Sequence, residues 1–330
     1  MELSRTINSD KRYYLDENTI ENTASFLQTM RVFNDAKIDL YNALYDQKYL
    51  ASGPLIDHAY PVFLKEKYKT NDYYNAAIYT AASGSISSQK ELKKYYSTTI
   101  TADLKTRDEK IQMIQEALDK KKAVKNSIRI YRKDGRWVIP YPRCQLKVKG
   151  LTIVLFNKTI VKLDEYERSV EADIRKLKIR LALVMEARRR KEKKLENIKN
   201  LPPERIVFGG KKLYSEKDTV GITKSAEDNK TSQKALKEWK QEFFEKRHQS
   251  MALPGRHTSK YGNFLCKYDG KDLSVTCIDG TTTVFHDFKL PRYNEAFQNN
   301  FTCKPEDRQS LCYNFTVKRD RKLSLIHISE

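Results

Sequence analysis

Apolar residues recur at steps of three and four along the segment from Lys162 to Ile198, and this pattern constrains the fold more than any other feature. Its members are Leu163, Tyr166, Val170, Ile174, Leu177, Leu181 and Val184. Such heptad-like spacing predicts one long, coiled-coil-like helix of roughly 55 Å that packs against a second long helix. Pro202 and Pro203 cannot continue a helix, so we expect it to end before them.

The part of the chain before this helix is predicted to be mainly helical. Four segments carry apolar residues near helical spacing, and a Ser/Gly-rich stretch over 83–88 is expected to interrupt them. These segments are residues 18–50, 56–69, 72–82 and 106–122. Residues 127–140 are expected to form a β-hairpin, because Asp134-Gly135 lies between two β-type runs and an Asp-Gly pair favours a tight turn.

The part of the chain after Pro203 is predicted to be mainly β. Asp-Gly pairs at 269–270 and 279–280 separate three alternating runs, which predicts a three-stranded meander, and residues 311–318 form a further strand. Residues 235–247 are the one helix expected here, after a polar loop over 218–234. The fold class is therefore α+β, with a helical lobe over 1–200 and a small antiparallel, OB-like β-barrel over 201–322.

The charge balance points to an anionic partner. The chain has 63 Lys+Arg against 43 Asp+Glu, a formal net charge of +20, and nucleic acid is the usual partner of such an excess. Its longest strongly apolar run, Leu151–Phe156, is too short to span a bilayer, so no membrane partner is expected. Five scattered cysteines without a C-x-x-C pair argue against a disulfide scaffold or zinc ribbon and favour a cytoplasmic protein.

Three groups of residues are candidates for contacts with nucleic acid. In Gly209-Gly210-Lys211-Lys212, the glycines allow close approach of backbone amides to a phosphate and the lysines neutralise it; the alternative is an ordinary turn with solvated lysines. The run 187–194 is the densest basic stretch, and its alternative is a solvated helix face. The full set, which adds the basic and aromatic residues after Trp239, is Gly209, Gly210, Lys211, Lys212, Arg188, Arg189, Arg190, Arg247, Arg256, Lys260 and Tyr261.

No arrangement of residues predicts catalysis. Asp279 follows a β-type run, as the acid of a metal-dependent nuclease would, but it precedes Gly280 and is better explained as a turn residue. Chemistry with two metal ions needs several carboxylates, and none occurs in a matching context. The five histidines show no spacing typical of a zinc site.

Several of these segments together resemble the TnpB (OrfB) family, RNA-guided DNA endonucleases encoded by insertion sequences and related to compact type V CRISPR effectors. Residues 205–213, RIVFGGKKL, resemble that family's R-x-x-F-G-G-K-K-L segment. Trp239, Arg247, Gly255 and the run Lys260-Tyr261-Gly262-Asn263 resemble its W…R…G…GN pattern. The resemblance is clearest over 201–290 and fainter over 19–100.

The resemblance implies that a helical recognition lobe is inserted in a β-barrel wedge domain, and that together they hold a guide RNA from the end of the element. Base pairing would then read the double-stranded DNA target, while the protein reads shape, backbone and a short flanking motif. Ser88 and Gln89, after the Ser/Gly stretch, are the candidates for reading that motif.

The resemblance also implies a RuvC-like nuclease domain that binds Mg²⁺, and no acidic set for it follows the meander. We therefore expect no cofactor in this chain and no cleavage activity. The last eight residues, 323–330, read like a translated sequencing adaptor, so we expect them to be an artefact of truncation. The alternative function is a non-catalytic coiled-coil and β-module protein that binds a protein partner, or RNA without specificity.

Overall fold

The computed structural model describes residues 13–14, 20–52, 59–156, 158–218, 226–256, 259, 262–288, 314–320 and 325–329. The chain divides into two compact units, and it is of the α+β class. Unit 1 comprises Met1–Gln89 and Glu204–Glu330, and unit 2 comprises Lys90–Pro203. Unit 2 is thus inserted in unit 1, whereas the sequence predicted one division near residue 200.

Unit 2 is built from two long helices joined by a small sheet. Helix α3 spans Asp72–Asp134, with its residues from Lys90 onward in this unit, and α4 spans Leu163–Asn200. Strands β2 (Lys147–Lys149), β3 (Thr152–Val154) and β4 (Ile160–Lys162) form an antiparallel sheet in that order. The prediction of a long helix near 162–198 that packs on another long helix is confirmed.

The two helices of unit 2 are antiparallel, and both apolar contacts and ion pairs join them. Leu163, Val170 and Ile174 of α4 are buried in one cluster with Leu118, Val124 and Ile128 of α3. The ion pairs fix the direction, since Arg132 near the end of α3 contacts Glu167 near the start of α4, at 2.7 Å. Lys191, near the end of α4, contacts Asp103 at 3.0 Å.

Two sequence predictions about α3 are wrong, because the helix is continuous. The Ser/Gly stretch does not interrupt it: Ser83 and Ser85 donate their hydroxyls to the carbonyls of Tyr79 and Ala81, at 2.7 and 2.8 Å, within the helix. The β-hairpin predicted over 127–140 does not form, because α3 extends to Asp134 and includes the residues of its first strand. Gly135, at φ 64°, ends the helix there, and its amide donates to the Tyr131 carbonyl at 2.9 Å.

Unit 1 surrounds helix α1, which spans Thr23–Tyr45 and continues as a π-helix over Asp46–Leu50. Helix α2 (Tyr60–Tyr68) and the first part of α3 pack beside it. Helix α5 spans Lys211–Ser215 and α6 spans Ala226–Arg247. Because α6 begins at Ala226, the prediction of a polar loop through 234 is wrong for its second half.

The strands of unit 1 form two sheets. One has the order β1-β10-β9-β5, with β1 at Tyr13–Tyr14, β10 at Leu325–Ser329, β9 at Phe315–Asp320 and β5 at Ser250–Leu253. The other is the predicted meander, with β6 at Cys266–Tyr268, β7 at Leu273–Thr276 and β8 at Thr282–Phe285. The meander is confirmed.

The described strands of unit 1 form two separate sheets and do not close into the predicted β-barrel. Helix α1 contacts both sheets. Phe26 packs edge-on against Phe285 of β8, with ring centres 5.1 Å apart. Asn34 donates to the Ser250 carbonyl of β5 at 2.9 Å. A helix therefore shares the core with the two sheets, which is the layered arrangement of an α+β fold. No helix in the described part of the chain is long and apolar enough to cross a membrane.

Candidate nucleic-acid interface

Polar and aromatic contacts hold the segment from Glu204 to Leu213 against α1 and the π-helix that continues it. Arg205 forms an ion pair with Asp46, and its guanidinium carbon lies 4.9 Å from the centre of the Tyr45 ring. The Ile206 amide donates to the Tyr41 hydroxyl at 3.0 Å. Phe208 meets the Tyr41 ring edge-on, with centres 5.1 Å apart. These contacts fix the position of the glycine pair that follows.

Gly209 has a packing reason to be glycine. Its φ is +96°, and a Cβ built there would lie 2.9 Å from Phe243 Cε2 and 3.0 Å from Arg247 Cγ. Gly210 also has a positive φ, +101°, but open space surrounds it. The pair therefore brings α6 against the turn and starts α5 at Lys211.

Helix α6 supplies the aromatic side of this site. Trp239 is buried, donates its indole N–H to the Leu213 carbonyl at 2.7 Å and stacks on Phe243, with ring centres 5.4 Å apart and planes 8° apart. Trp239 is therefore a core residue. The guanidinium carbon of Arg247 lies 5.9 Å from the Phe243 ring centre, and Arg247 Nε is buried without a hydrogen-bond partner among the described residues.

The two lysines of the motif differ in their availability. Lys211 Nζ lies 2.5 Å from Glu204 Oε2, and this contact lowers the pKa of the Glu204 carboxyl. Lys212 is exposed, and no ion pair joins it to any described acidic residue. Lys212 and Arg247 are therefore the cations of this site that remain for a ligand.

Lys37 is a cation near this site that the sequence analysis missed. Its Nζ donates to Asn34 Oδ1 at 2.6 Å and lies 5.6 Å from the centre of the Phe208 ring. Burial lowers the pKa of Lys37 to about 8, because desolvation disfavours the charged amine. The only signal was a lysine among the apolar residues of the predicted 18–50 helix, which does not distinguish a buried amine from a solvated one.

The other candidates after α6 are partly outside the described residues. Arg256 is exposed, and its amide donates to the Gly262 carbonyl at 2.9 Å, which closes a loop. Lys260 and Tyr261 lie outside the described residues. Asn263 is buried and has a structural part: it donates to the Leu253 carbonyl at 3.0 Å and accepts from the Leu265 amide at 2.9 Å.

Ser88 and Gln89 differ in whether their side chains are available to a ligand. Ser88 is exposed on α3. Gln89 is buried, accepts from the Tyr41 hydroxyl at 2.9 Å and donates to the Glu204 carbonyl at 2.6 Å. Because both ends of its amide are engaged, Gln89 holds the motif segment against α3 rather than offering its amide to a base edge.

Four cations of the basic run on α4 are in ion pairs with acidic neighbours: Arg188, Arg189, Arg190 and Lys191. Arg188 contacts Asp108 of α3 at 2.5 Å and Glu192 of its own helix at 2.9 Å. Arg189 and Arg190 both contact Glu186, at 2.8 and 3.0 Å, and they lower the pKa of that carboxyl to about 2. These arginines behave as the solvated helix face that was the alternative to a phosphate track.

Within the described ranges, no group of three or more His, Cys, Asp or Glu side chains is placed to hold a metal ion. Asp279 is a turn residue, since its carboxylate accepts from the Thr281 amide at 2.9 Å. Comparisons with family models, curated proteins and solved structures found no match to this chain.

Proposed function

We propose that this chain is the guide-RNA- and target-DNA-binding part of a TnpB-like RNA-guided DNA endonuclease, without nuclease chemistry of its own. The observation that carries the proposal is the site around Gly209. There the motif segment supplies an exposed lysine, Lys212, and α6 supplies Arg247, which lies against Gly209 and whose Nε has no hydrogen-bond partner among the described residues. Cations beside a turn suit the phosphates of a nucleic acid.

The insertion of unit 2 in unit 1 supports this proposal. The resemblance implies a helical lobe inserted in a β-containing domain, and residues 90–203 are a mainly helical unit inserted between two halves of a mixed α/β unit. In such a protein, the guide would read the target by base pairing, so the protein needs contacts with backbone and shape more than a sequence code of its own.

The first experiment compares two double variants of the full chain. In Lys212→Gln/Arg247→Gln, both charges are removed, and glutamine at position 247 keeps the Cγ that lies near Gly209. The control, Arg189→Gln/Arg190→Gln, removes two charges that are paired with Glu186. The readout is the affinity for RNA that co-purifies with the chain, measured as a function of salt concentration.

We expect the log–log salt dependence of RNA affinity to become shallower by about 1.4 in the site variant, because each lost single-strand phosphate contact removes about 0.7. The control should change it by less than half as much. Equal slopes in the two variants would contradict the placement of RNA at this site. Cleavage of DNA by the purified chain with Mg²⁺ would contradict the absence of nuclease chemistry.

The second candidate function is a non-catalytic protein whose helix pair and β-module bind a protein partner. It is favoured by the ion pairs between α3 and α4, such as Lys121–Asp173 and Lys125–Glu171, both at 2.6 Å, which use cations within the molecule. Sequencing of nucleic acid bound to the expressed chain separates the two functions. One discrete RNA from the 3′ end of the gene supports the first function, and a defined protein partner without RNA supports the second.

A further inference from the structure

The sheet between the two long helices of unit 2 has two different faces. We call residues 147–156 and 158–162, which include strands β2 to β4, the connector sheet. Val148, Ile153 and Val161 are opposite one another in the strand register and pack into the core of the helix pair. Since successive side chains of a strand point to opposite faces, the neighbouring positions form an outer face.

The outer face of the connector sheet is rich in lysine. One cross-strand row is Lys147–Val154–Ile160, and the other is Lys149–Thr152–Lys162. Lys147 and Lys149 are about 7 Å apart along their strand, and Lys149 and Lys162 are about 10 Å apart across the sheet. The three lysines are therefore close enough to contact one ligand together.

The cations of this region lack acidic partners. No Asp or Glu occurs from Gly135 to Lys162, and among the described residues none of its basic side chains is in an ion pair. These basic residues are Arg136, Arg143, Lys147, Lys149, Lys158 and Lys162. In the same unit, by contrast, Lys125, Arg132 and Lys191 on the helices are each paired with an acid. Like charges held close together without acids repel one another, so an anionic ligand would stabilise them.

Large apolar side chains are exposed beside these lysines. Leu151 in the first turn is 84% exposed, Phe156 in the second turn 79%, and Ile160 on the outer face 66%. The two turns lie at opposite ends of the strands, so apolar groups flank the lysine rows at both ends. Ile160 shares a cross-strand row with Lys147, so the outer face presents basic and apolar side chains together.

We propose that the outer face of the connector sheet binds a nucleic-acid duplex, an inference that rests on the proposed function. Lys147, Lys149 and Lys162 contact phosphates, and Phe156 and Leu151 contact base faces at a duplex end or at an opened base step. A nucleic acid offers both chemistries within a few ångströms, phosphates outside and apolar base faces between them. Phe, Leu and Ile are the side chains that proteins insert between bases in this way.

The lysine contacts are tested with Lys147→Gln/Lys149→Gln in the full chain, against the same control, Arg189→Gln/Arg190→Gln. The probe is a fluorescein-labelled RNA–DNA heteroduplex of about 20 base pairs. We expect the connector variant to make the salt dependence of affinity shallower by between about 1.4 and 1.8, for two lost phosphate contacts. An unchanged slope, or the same change in the control, would overturn the proposal.

The apolar contacts are tested with Phe156→Ser in the same assay, with 2-aminopurine placed at the end of the heteroduplex. We expect affinity to fall about tenfold with an unchanged salt slope, because lost stacking releases no counterions. The 2-aminopurine fluorescence should change on binding of the wild-type chain and not of the variant. Equal fluorescence changes for both chains would remove Phe156 from the proposal.

The outcomes separate this inference from the proposed function. If Lys212→Gln/Arg247→Gln weakens binding and the connector variants do not, only the connector sheet is wrongly assigned. If the connector variants alone weaken binding, the site around Gly209 is wrongly assigned. Flotation of the wild-type chain with phosphatidylserine vesicles, lost in Phe156→Ser, together with no binding to the heteroduplex, would overturn the nucleic-acid assignment of this face.

Discussion

The basic run on α4 and the connector sheet carry cations in two different ways. Residues 187–194 are the densest basic stretch of the chain, yet Arg188, Arg189 and Arg190 are each paired with an acid, on α3 or on α4 itself. The connector sheet has fewer cations, but no described acid pairs with any of them. The number of basic residues in a stretch therefore does not measure the charge that is available to a partner.

The difference follows from the two backbone geometries. On a helix, residues three and four apart are neighbours, so one Glu186 reaches both Arg189 and Arg190. On a sheet, the neighbours of Lys149 on its face are the residues opposite it, Thr152 and Lys162, and these offer no carboxylate. On a mixed-charge helix, basic residues therefore find acids one turn away, whereas the lysines on the edge strands of this sheet do not.

The largest effect that we predict tests whether the helix pair is held by its core rather than by its charges. Ile128 of α3 is fully buried, so Ile128→Ala should lower the free energy of unfolding by about 2–5 kcal/mol. Ile179→Ala on α4 is the matched control, because Ile179 is 63% exposed and should change it by less than about 0.5 kcal/mol. Urea unfolding, with hydrogen exchange to locate the change in α3 and α4, measures both. Similar losses in the two variants would mean that this core is not where the helices are joined.

A smaller effect is predicted for the ion pairs of the helices. Arg132 is half-exposed and contacts Asp164 and Glu167, so Arg132→Gln should cost about 0.5–1 kcal/mol at low salt. Because the pair is partly solvated, most of this cost should disappear in 1 M NaCl, where the Debye length is about 3 Å. Thermal unfolding at the two salt concentrations checks the prediction. A cost that is independent of salt would show that Arg132 acts through packing of its stem instead.

The smallest effect is predicted for the connector sheet in the absence of a ligand. Lys147→Gln/Lys149→Gln should change the free energy of unfolding by less than about 0.5 kcal/mol, since no described contact is lost. At low salt the variant should be as stable as the wild type or slightly more stable, because two mutually repelling charges are removed. Thermal unfolding of the free chain is the measurement. A loss above about 1 kcal/mol would show that these lysines have an internal partner. The connector sheet would then not differ from the helices in the pairing of its cations.

The sequence predicted the elements whose periodicity agrees with their packing. The heptad-like spacing of Leu163, Val170 and Ile174 gave α4 and its need for a partner helix, because these residues are buried against α3. The Asp-Gly pairs at 269–270 and 279–280 gave the meander, because strands with alternating burial flank each turn. In both cases local pattern and tertiary contact agree.

The sequence failed where one local signal fits two structures. Asp134-Gly135 indicates a residue with positive φ, and both a hairpin turn and a helix end need one. The burial of Ile128 between α3 and α4 stabilises the helix here. The local sequence does not show that Ile128 is buried. At the candidate site, the glycines and Lys211-Lys212 were visible in the motif, but the pairing of Lys211 with Glu204 and the burial of Lys37 depend on contacts made by folding.

The hydrogen bond between Gln89 and the Glu204 carbonyl bears on how the chain tolerates insertions and deletions. The chain leaves unit 1 at Gln89 and returns at Glu204, and this bond, 2.6 Å long, joins the two points. Insertions or deletions between them therefore need not stretch or shift the residues that hold unit 1 together. Adding or removing matching turns in α3 and α4 would change the length of the helix pair without changing Gln89 or Glu204. A change in the length of residues 90–203 would therefore leave the Gln89–Glu204 hydrogen bond in place.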